Sequence, residues 1–204
     1  MATVLTVSAS PSATSKSAAT RRLVDEQLAE LGHSVHALDA RDLPPAALLG
    51  ADFSHPAIAE TLDLFERAQG VVVVTPVYKA SYSGLLKTLL DVLPQSGLAK
   101  KVVLPLATGG TTAHVLAIDY ALRPVLSSLG STHVVQGYFL LDQDITREPD
   151  GRTVFGDETR ASLARAVTRF ADALTLHHGD GDVNNRVRGG RVTAGSASPA
   201  TIAA

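Results

Sequence analysis

The chain contains no cysteine in 204 residues, which excludes disulfides, thiol catalysis and cysteine-ligated clusters. It also lacks an excess of either charge. Eighteen Lys and Arg stand against twenty Asp and Glu, a formal net charge of −2, too balanced for an electrostatic footprint on nucleic acid or anionic membrane. No apolar run approaches the length of a membrane span. The opening MATVLTVSAS has no basic stretch ahead of a short apolar core, so a cytoplasmic protein is expected. There is no internal repeat, and the seven histidines are scattered, so no metal site is expected. No Gly-x-Ser-x-Gly elbow ends a strand, which argues against a Ser-His-Asp hydrolase.

What is present is an ordinary globular composition, 45% hydrophobic, in a length that suits one α/β domain with a sizeable core. Short β-branched runs alternate with helix-period segments. Strands are expected at 3–8, 33–39, 70–78, 100–110 and 133–141, and helices at 16–31, 57–68, 83–93, 114–129 and 157–174. This alternation specifies a parallel sheet covered on both faces. Five strands fit a flavodoxin-like three-layer sandwich of order 2-1-3-4-5 better than a six-stranded dinucleotide sheet. From Gly179 onward large apolar groups become rare, so the expected organisation is one domain over 1–178 and a disordered tail over 179–204.

In a doubly wound sheet, ligands bind beyond the carboxyl ends of the strands, near the switch in strand order. Three loops fall at that edge. The first, SASPSATSKS (8–17), contains no glycine, so it is neither a Walker loop nor Gly-x-Gly-x-x-Gly, and a pyrophosphate is disfavoured. Ser8, Ser10, Ser15 and Ser17 suit a terminal phosphate instead, whose oxygens accept hydroxyl and N–H bonds at a helix N-terminus. A helix cap would explain one of these serines, not all of them. The second loop, TPVYKASYSG (75–84), places the Tyr78 ring at the mouth of the crevice, where a flat conjugated ligand would be gripped; Lys79 reads as a solvated charge. The third, Gly109-Gly110-Thr111-Thr112, permits close backbone approach and offers hydroxyls to a polar ring edge, while His114 reads as a helix residue. A phosphate cup, a ring shelf and a polar-edge loop together describe a site for FMN.

The chain resembles the NADPH-dependent FMN reductases, most closely those of the alkanesulfonate-utilisation type. The resemblance rests on SASPSATSKS (8–17), TPVYKASYSGLLKTLLD (75–91) and KVVLPLATGGTTAHVLAIDYALRPVL (101–126). It implies a flavodoxin-like fold and hydride transfer from NADPH, or NADH, to FMN, achieved by positioning and with no catalytic side chain. It also implies that Ser8, Ser10, Ser15, Lys16 and Ser17 hold the phosphate, and that Pro76, Val77, Tyr78 and Lys79 with Thr108, Gly109, Gly110 and Thr111 flank the ring. In two-component members the flavin leaves reduced and serves a flavin-dependent monooxygenase. Two departures stand out from the family's Gly-Ser-x-Arg-x-x-Ser-x-Ser pattern: Ala9 replaces the glycine and Ser12 the arginine. Loss of that arginine implies a weaker grip on flavin, unless Lys16, Arg21 or Arg22 compensates. For a coenzyme 2′-phosphate, Arg21, Arg22, Lys79 and Arg123 are the candidate cations.

Pro124 falls in mid-helix, where its ring would collide with the carbonyl of Tyr120 and remove one backbone donor. A kink or a π-bulge relieves such a defect. The sulfonate-type reductases carry an inserted tyrosine and a π-helix at this position, and Tyr120 matches it. This helix and 85–93 are apolar around most of their circumference, which predicts a homodimer or homotetramer. Two rivals remain at this stage: a quinone, azo-dye or metal-ion reductase that retains its FMN, and a flavodoxin-like electron carrier. The near-neutral charge argues against the carrier.

Overall fold

The structure, a computed structural model, describes residues 1–188, with side chains through His177. In chain order its elements are β1 (Thr3–Ser8), α1 (Lys16–Glu30), β2 (Ser34–Asp39), α2 (Pro45–Leu49) and α3 (Pro56–Arg67). There follow β3 (Gly70–Tyr78), β4 (Ser81–Tyr82), α4 (Gly84–Asp91), β5 (Val102–Gly109), a π-helix (Ile118–Leu122) and α5 (Arg123–Ser128). The chain then adds β6 (His133–Val134), β7 (Tyr138–Leu141), the hairpin β8 (Ile145–Arg147) and β9 (Thr153–Phe155), and α6 (Asp157–Arg188).

The sheet runs β2-β1-β3-β5-β6, with parallel pairing between these neighbours. Its central strands are apolar on both faces, and the period of two sorts them. Val71 and Val73 join Leu5, Val7 and Val103 in one core, against Ile58, Phe65, Leu86 and Leu89 of α3 and α4. Val72 and Val74 join Val4, Leu104 and Leu106 in the other, against Leu23 and Leu28 of α1 and Leu163, Val167 and Phe170 of α6. This is the doubly wound arrangement of a flavodoxin-like fold.

The sheet has seven strands, not five. Part of the correction is β4, a two-residue strand antiparallel to β3. The rest is a break in the fifth strand, expected as one run over 133–141. β6 pairs with Val102 and Val103, β7 pairs with Leu106 to Gly109, and the ladder is interrupted between them. Pro105 is the cause. In β5 the Val102 N–H points to the β3 side, donating to the Gln69 carbonyl, whereas the Val103 carbonyl accepts from Val135. Alternation therefore aims Pro105 at the fifth strand, and a proline has no N–H to give it. The chain instead passes close over the proline at Gly137, where a Cβ would lie 2.5 Å from the Pro105 carbonyl oxygen.

The segment expected as one helix over 114–129 is a short 3-10 turn, the π-helix and α5. The Arg123 N–H bonds the Ile118 carbonyl, a five-residue span, and Pro124 then falls in the first turn of α5, where a missing N–H is tolerated. The 85–93 helix does keep a polar side, because Lys87 and Asp91 pair at 2.5 Å on its exposed face, while Leu86, Leu89 and Leu90 are buried within this chain. α6 continues to Arg188, past Gly179; the remainder of the segment expected to be disordered, 189–204, lies outside the described residues.

Candidate flavin site

Ser10, Ser12, Ser15, Lys16 and Ser17 from the β1–α1 loop, Pro76, Val77 and Tyr78 from β3, Thr108 and Gly109 from β5, and Asp142 after β7 enclose a cavity of about 250 Å³. A larger cavity of about 680 Å³, walled by Phe53, Phe65, Leu93 and Pro94 among others, lies at the opposite edge of the sheet. Ligands of doubly wound sheets sit at the carboxyl edge, so the smaller cavity is the candidate site.

The cup is built by local hydrogen bonds. Ser15 caps α1, its hydroxyl accepting from the Ala18 N–H at 3.0 Å, and the Ser15 N–H donates to the Ser12 carbonyl at 3.3 Å. The Ser12 N–H donates to the Ser10 hydroxyl, and the Thr14 N–H to the Ser12 hydroxyl, each at 3.3 Å. Of the helix's initial donors this leaves the N–H groups of Lys16 and Ser17 for a ligand, at the end carrying roughly +0.5 of a charge. The buried Ser17 and Thr108 hydroxyls share a hydrogen bond of 2.8 Å. Lys16 crosses to the other wall, its Nζ donating to the main-chain carbonyl of Asp142.

The three loops are tied to one another. The Ser83 hydroxyl donates to the Ala9 carbonyl at 2.6 Å and accepts from the Leu86 N–H at 3.1 Å, capping α4. The Ser83 N–H donates to the Thr75 hydroxyl at 3.0 Å. A ligand therefore meets a prearranged rim rather than three loose loops. Tyr78 stands half exposed at the end of β3. Beyond it Lys79 and Ala80 both have positive φ, 50° and 63°, as in the tight turns that join hairpin strands.

Most of the expected site residues converge here, with four exceptions. Ser8 is buried at the end of β1, between Asp39 and Val74, and does not line the cavity. Lys79 is exposed at the hairpin tip, and Gly110 and Thr111 stand just outside the cavity wall. One residue of the wall escaped the sequence reading, and a second was left out of its site. Ser12 stands among the serines of the turn and at the place of the family's arginine, but was not assigned to the site. Asp142 follows the fifth strand, whose carboxyl end marks the same edge, and that position was its one signal. Among the candidate cations, Arg21 is buried and held by Asp25 and Asp39, while Arg123 is held by Asp119 at 2.9 Å and the Val134 carbonyl at 2.8 Å. Neither is available to a phosphate.

A flavodoxin-like sheet whose carboxyl edge offers a hydroxyl-lined anion cup at one end and an aromatic ring beside Gly109 at the other defines a flavin-binding protein. Free helix N–H groups and serine hydroxyls fit the phosphate of FMN, and the Tyr78 and Gly109 walls fit its planar ring.

The family model described as NADPH-dependent FMN reductase matches residues 2–146. "FMN reductase (NADPH)" of Pseudomonas putida strain KT2440 is 46% identical over 177 residues, 86% of this chain and 86% of that protein. The protein of the same name from Escherichia coli K12 is 42% identical over 171 residues, 84% of this chain and 89% of that one. Among solved structures, the apo form of NADH:FMN oxidoreductase (EMOB) is 41% identical, with a TM-score of 0.76 over 83% of this chain and 88% of that one. The chain belongs to the NADPH-dependent FMN reductase family and is an NAD(P)H-dependent FMN oxidoreductase.

Proposed function

We propose that FMN is a substrate of this protein, binding oxidised, leaving reduced, and supplying a partner flavin-dependent monooxygenase. The observation that carries the reading is the chemistry of the phosphate cup. Its donors are neutral hydroxyls and two backbone N–H groups, and the cation in its wall, Lys16, already donates to a carbonyl. A charge-assisted arginine contact contributes about 1.5–3 kcal/mol where it is well formed. A cup built without one suits a flavin that departs.

Bound flavin supplies the hydride acceptor; the residues of this chain hold and orient it. Ser10, Ser15 and Ser17 and the α1 N-terminus fix the phosphate, and Tyr78 and Gly109 set the plane of the ring and leave its other face to the nicotinamide. Catalysis then rests on positioning. Anaerobic ultrafiltration tests the reading: after NADPH is added to protein with a tenfold excess of FMN, reduced flavin passes into the filtrate while protein stays behind. Retention of a stoichiometric share of flavin supports a bound prosthetic group.

We further propose that the protein assembles as a homodimer or homotetramer through the π-helix region. Val115, Leu116 and Tyr120 are 48%, 56% and 79% exposed on one short stretch, an apolar grouping that a partner surface would cover.

A further inference from the structure

One group in the cavity wall belongs neither to the serine cup nor to the Tyr78 and Gly109 walls. Asp142 is half-buried, lines the cavity, and its carboxylate takes no hydrogen bond or ion pair among the described residues. Only its main chain is engaged, accepting from Lys16 Nζ and from the Ile145 N–H. The side chain extends toward the β5 loop, where its Oδ2 lies 3.9 Å from the place a Gly110 Cβ would occupy. The Lys16 ammonium is thus held at the Asp142 main chain, while the Asp142 carboxylate, with no hydrogen bond or ion pair of its own, lies toward Gly110.

A carboxylate in the wall of a cavity for an anionic ligand costs binding energy, and the cost is larger for the more negatively charged of two ligands. The two forms of flavin differ in charge. Hydride transfer moves one proton and two electrons from the nicotinamide to the ring; the nucleotide ends as NAD(P)⁺ and the ring gains one negative charge, which a solvent proton neutralises only later. From this difference we propose that Asp142 is a specificity-determining residue, whose carboxylate weakens the site's hold on reduced FMN relative to oxidised FMN and so promotes product release. The inference rests on the reading that FMN leaves as product.

The test is the dissociation constant of oxidised FMN and, under anaerobic conditions, of dithionite-reduced FMN, for the wild type, Asp142→Asn and Asp142→Glu. The wild type is expected to bind reduced FMN more weakly. Asp142→Asn should narrow the ratio by about five- to tenfold, as expected for one charge in a partly solvated site, and Asp142→Glu should preserve it. In the wild type the ratio should shrink as salt rises, a readout that needs no variant to fold. If Asp142→Asn weakens both forms equally, or the wild-type ratio ignores salt, the carboxylate is only a hydrogen-bond acceptor and the inference falls. If the wild type does not bind oxidised FMN, the FMN-substrate reading fails as well.

Discussion

The hydroxyls of Ser17 and Thr108 lie 2.8 Å apart although 91 residues separate them in the chain. This bond joins the first turn of α1 to the last turn-ward residues of β5, so the phosphate cup and the ring-side wall are set relative to each other by one buried contact. Both residues are nearly inaccessible, at 0% and 3%, which keeps water from competing for it.

Ser17→Ala removes that bond, which sets the cup relative to the ring-side wall. The buried Thr108 hydroxyl is then unpartnered, a loss of about 1–2 kcal/mol that lowers Tm by roughly 3–6 °C for a chain of this size. Binding energy to a non-reacting phosphate is uniform through the reaction, so KM for FMN should rise about tenfold while kcat stays nearly unchanged. Steady-state titration of FMN at saturating NADPH checks the split.

Gly137→Ala tests the close passage of the chain over β5 between β6 and β7. The new Cβ would meet the Pro105 carbonyl oxygen at 2.5 Å and Ile118 Cγ2 at 2.9 Å. Backbone cannot give way cheaply, and overpacking of this kind costs about 1–3 kcal/mol. A Tm lower by about 3–10 °C is expected, measured by thermal melting; an unchanged Tm would mean that the chain does not pass this close over β5 at Gly137.

Lys101 gives a pH dependence. Its Nζ donates to the Ala68 and Glu66 carbonyls at 2.7 and 3.1 Å at the end of α3, and burial pushes its pKa below the ordinary 10.5. The unfolded chain therefore binds more protons than the folded one between the depressed value and 10.5. Stability contributed by Lys101 rises with pH through that window and is lowest below it. Lys101→Met lacks the slope, so the stability difference between wild type and variant should move in favour of the wild type as pH rises toward 10.5. Urea unfolding at several alkaline pH values reads this, and a difference that moves the other way contradicts it.

Tyr120→Ala separates folding from assembly. The side chain is 79% exposed, so loss of stability in the isolated subunit should stay within about 0.5 kcal/mol. If the π-helix region is covered by a second copy, the same change should weaken self-association by about tenfold or more. Sedimentation across a concentration series measures it.

Much of this was legible in the residues. The run Val71–Val74 alternates between two cores because both faces of a parallel strand are covered, and that is why it reads as continuous hydrophobicity. The loops after β1, β3 and β5 met at one edge because the crossover rules leave no alternative. Pro124 announced an irregular helix through its missing donor. Less legible were features decided by tertiary contact. Pro105 interrupts a neighbouring strand rather than its own. Arg21 reads as a free cation until Asp25 and Asp39 close on it. Asp142 is one aspartate in an acidic turn until the fold brings it across from Lys16.

The most direct test of the central claim is the rate of NADPH oxidation by flavin-stripped protein as FMN is titrated in, with air as the final acceptor. A rate that rises and saturates well beyond one FMN per subunit, sustained over many turnovers, is the predicted result and makes flavin a substrate. A rate that levels off at one FMN per subunit and continues only when a quinone or dye is added would contradict the account and make FMN a fixed cofactor.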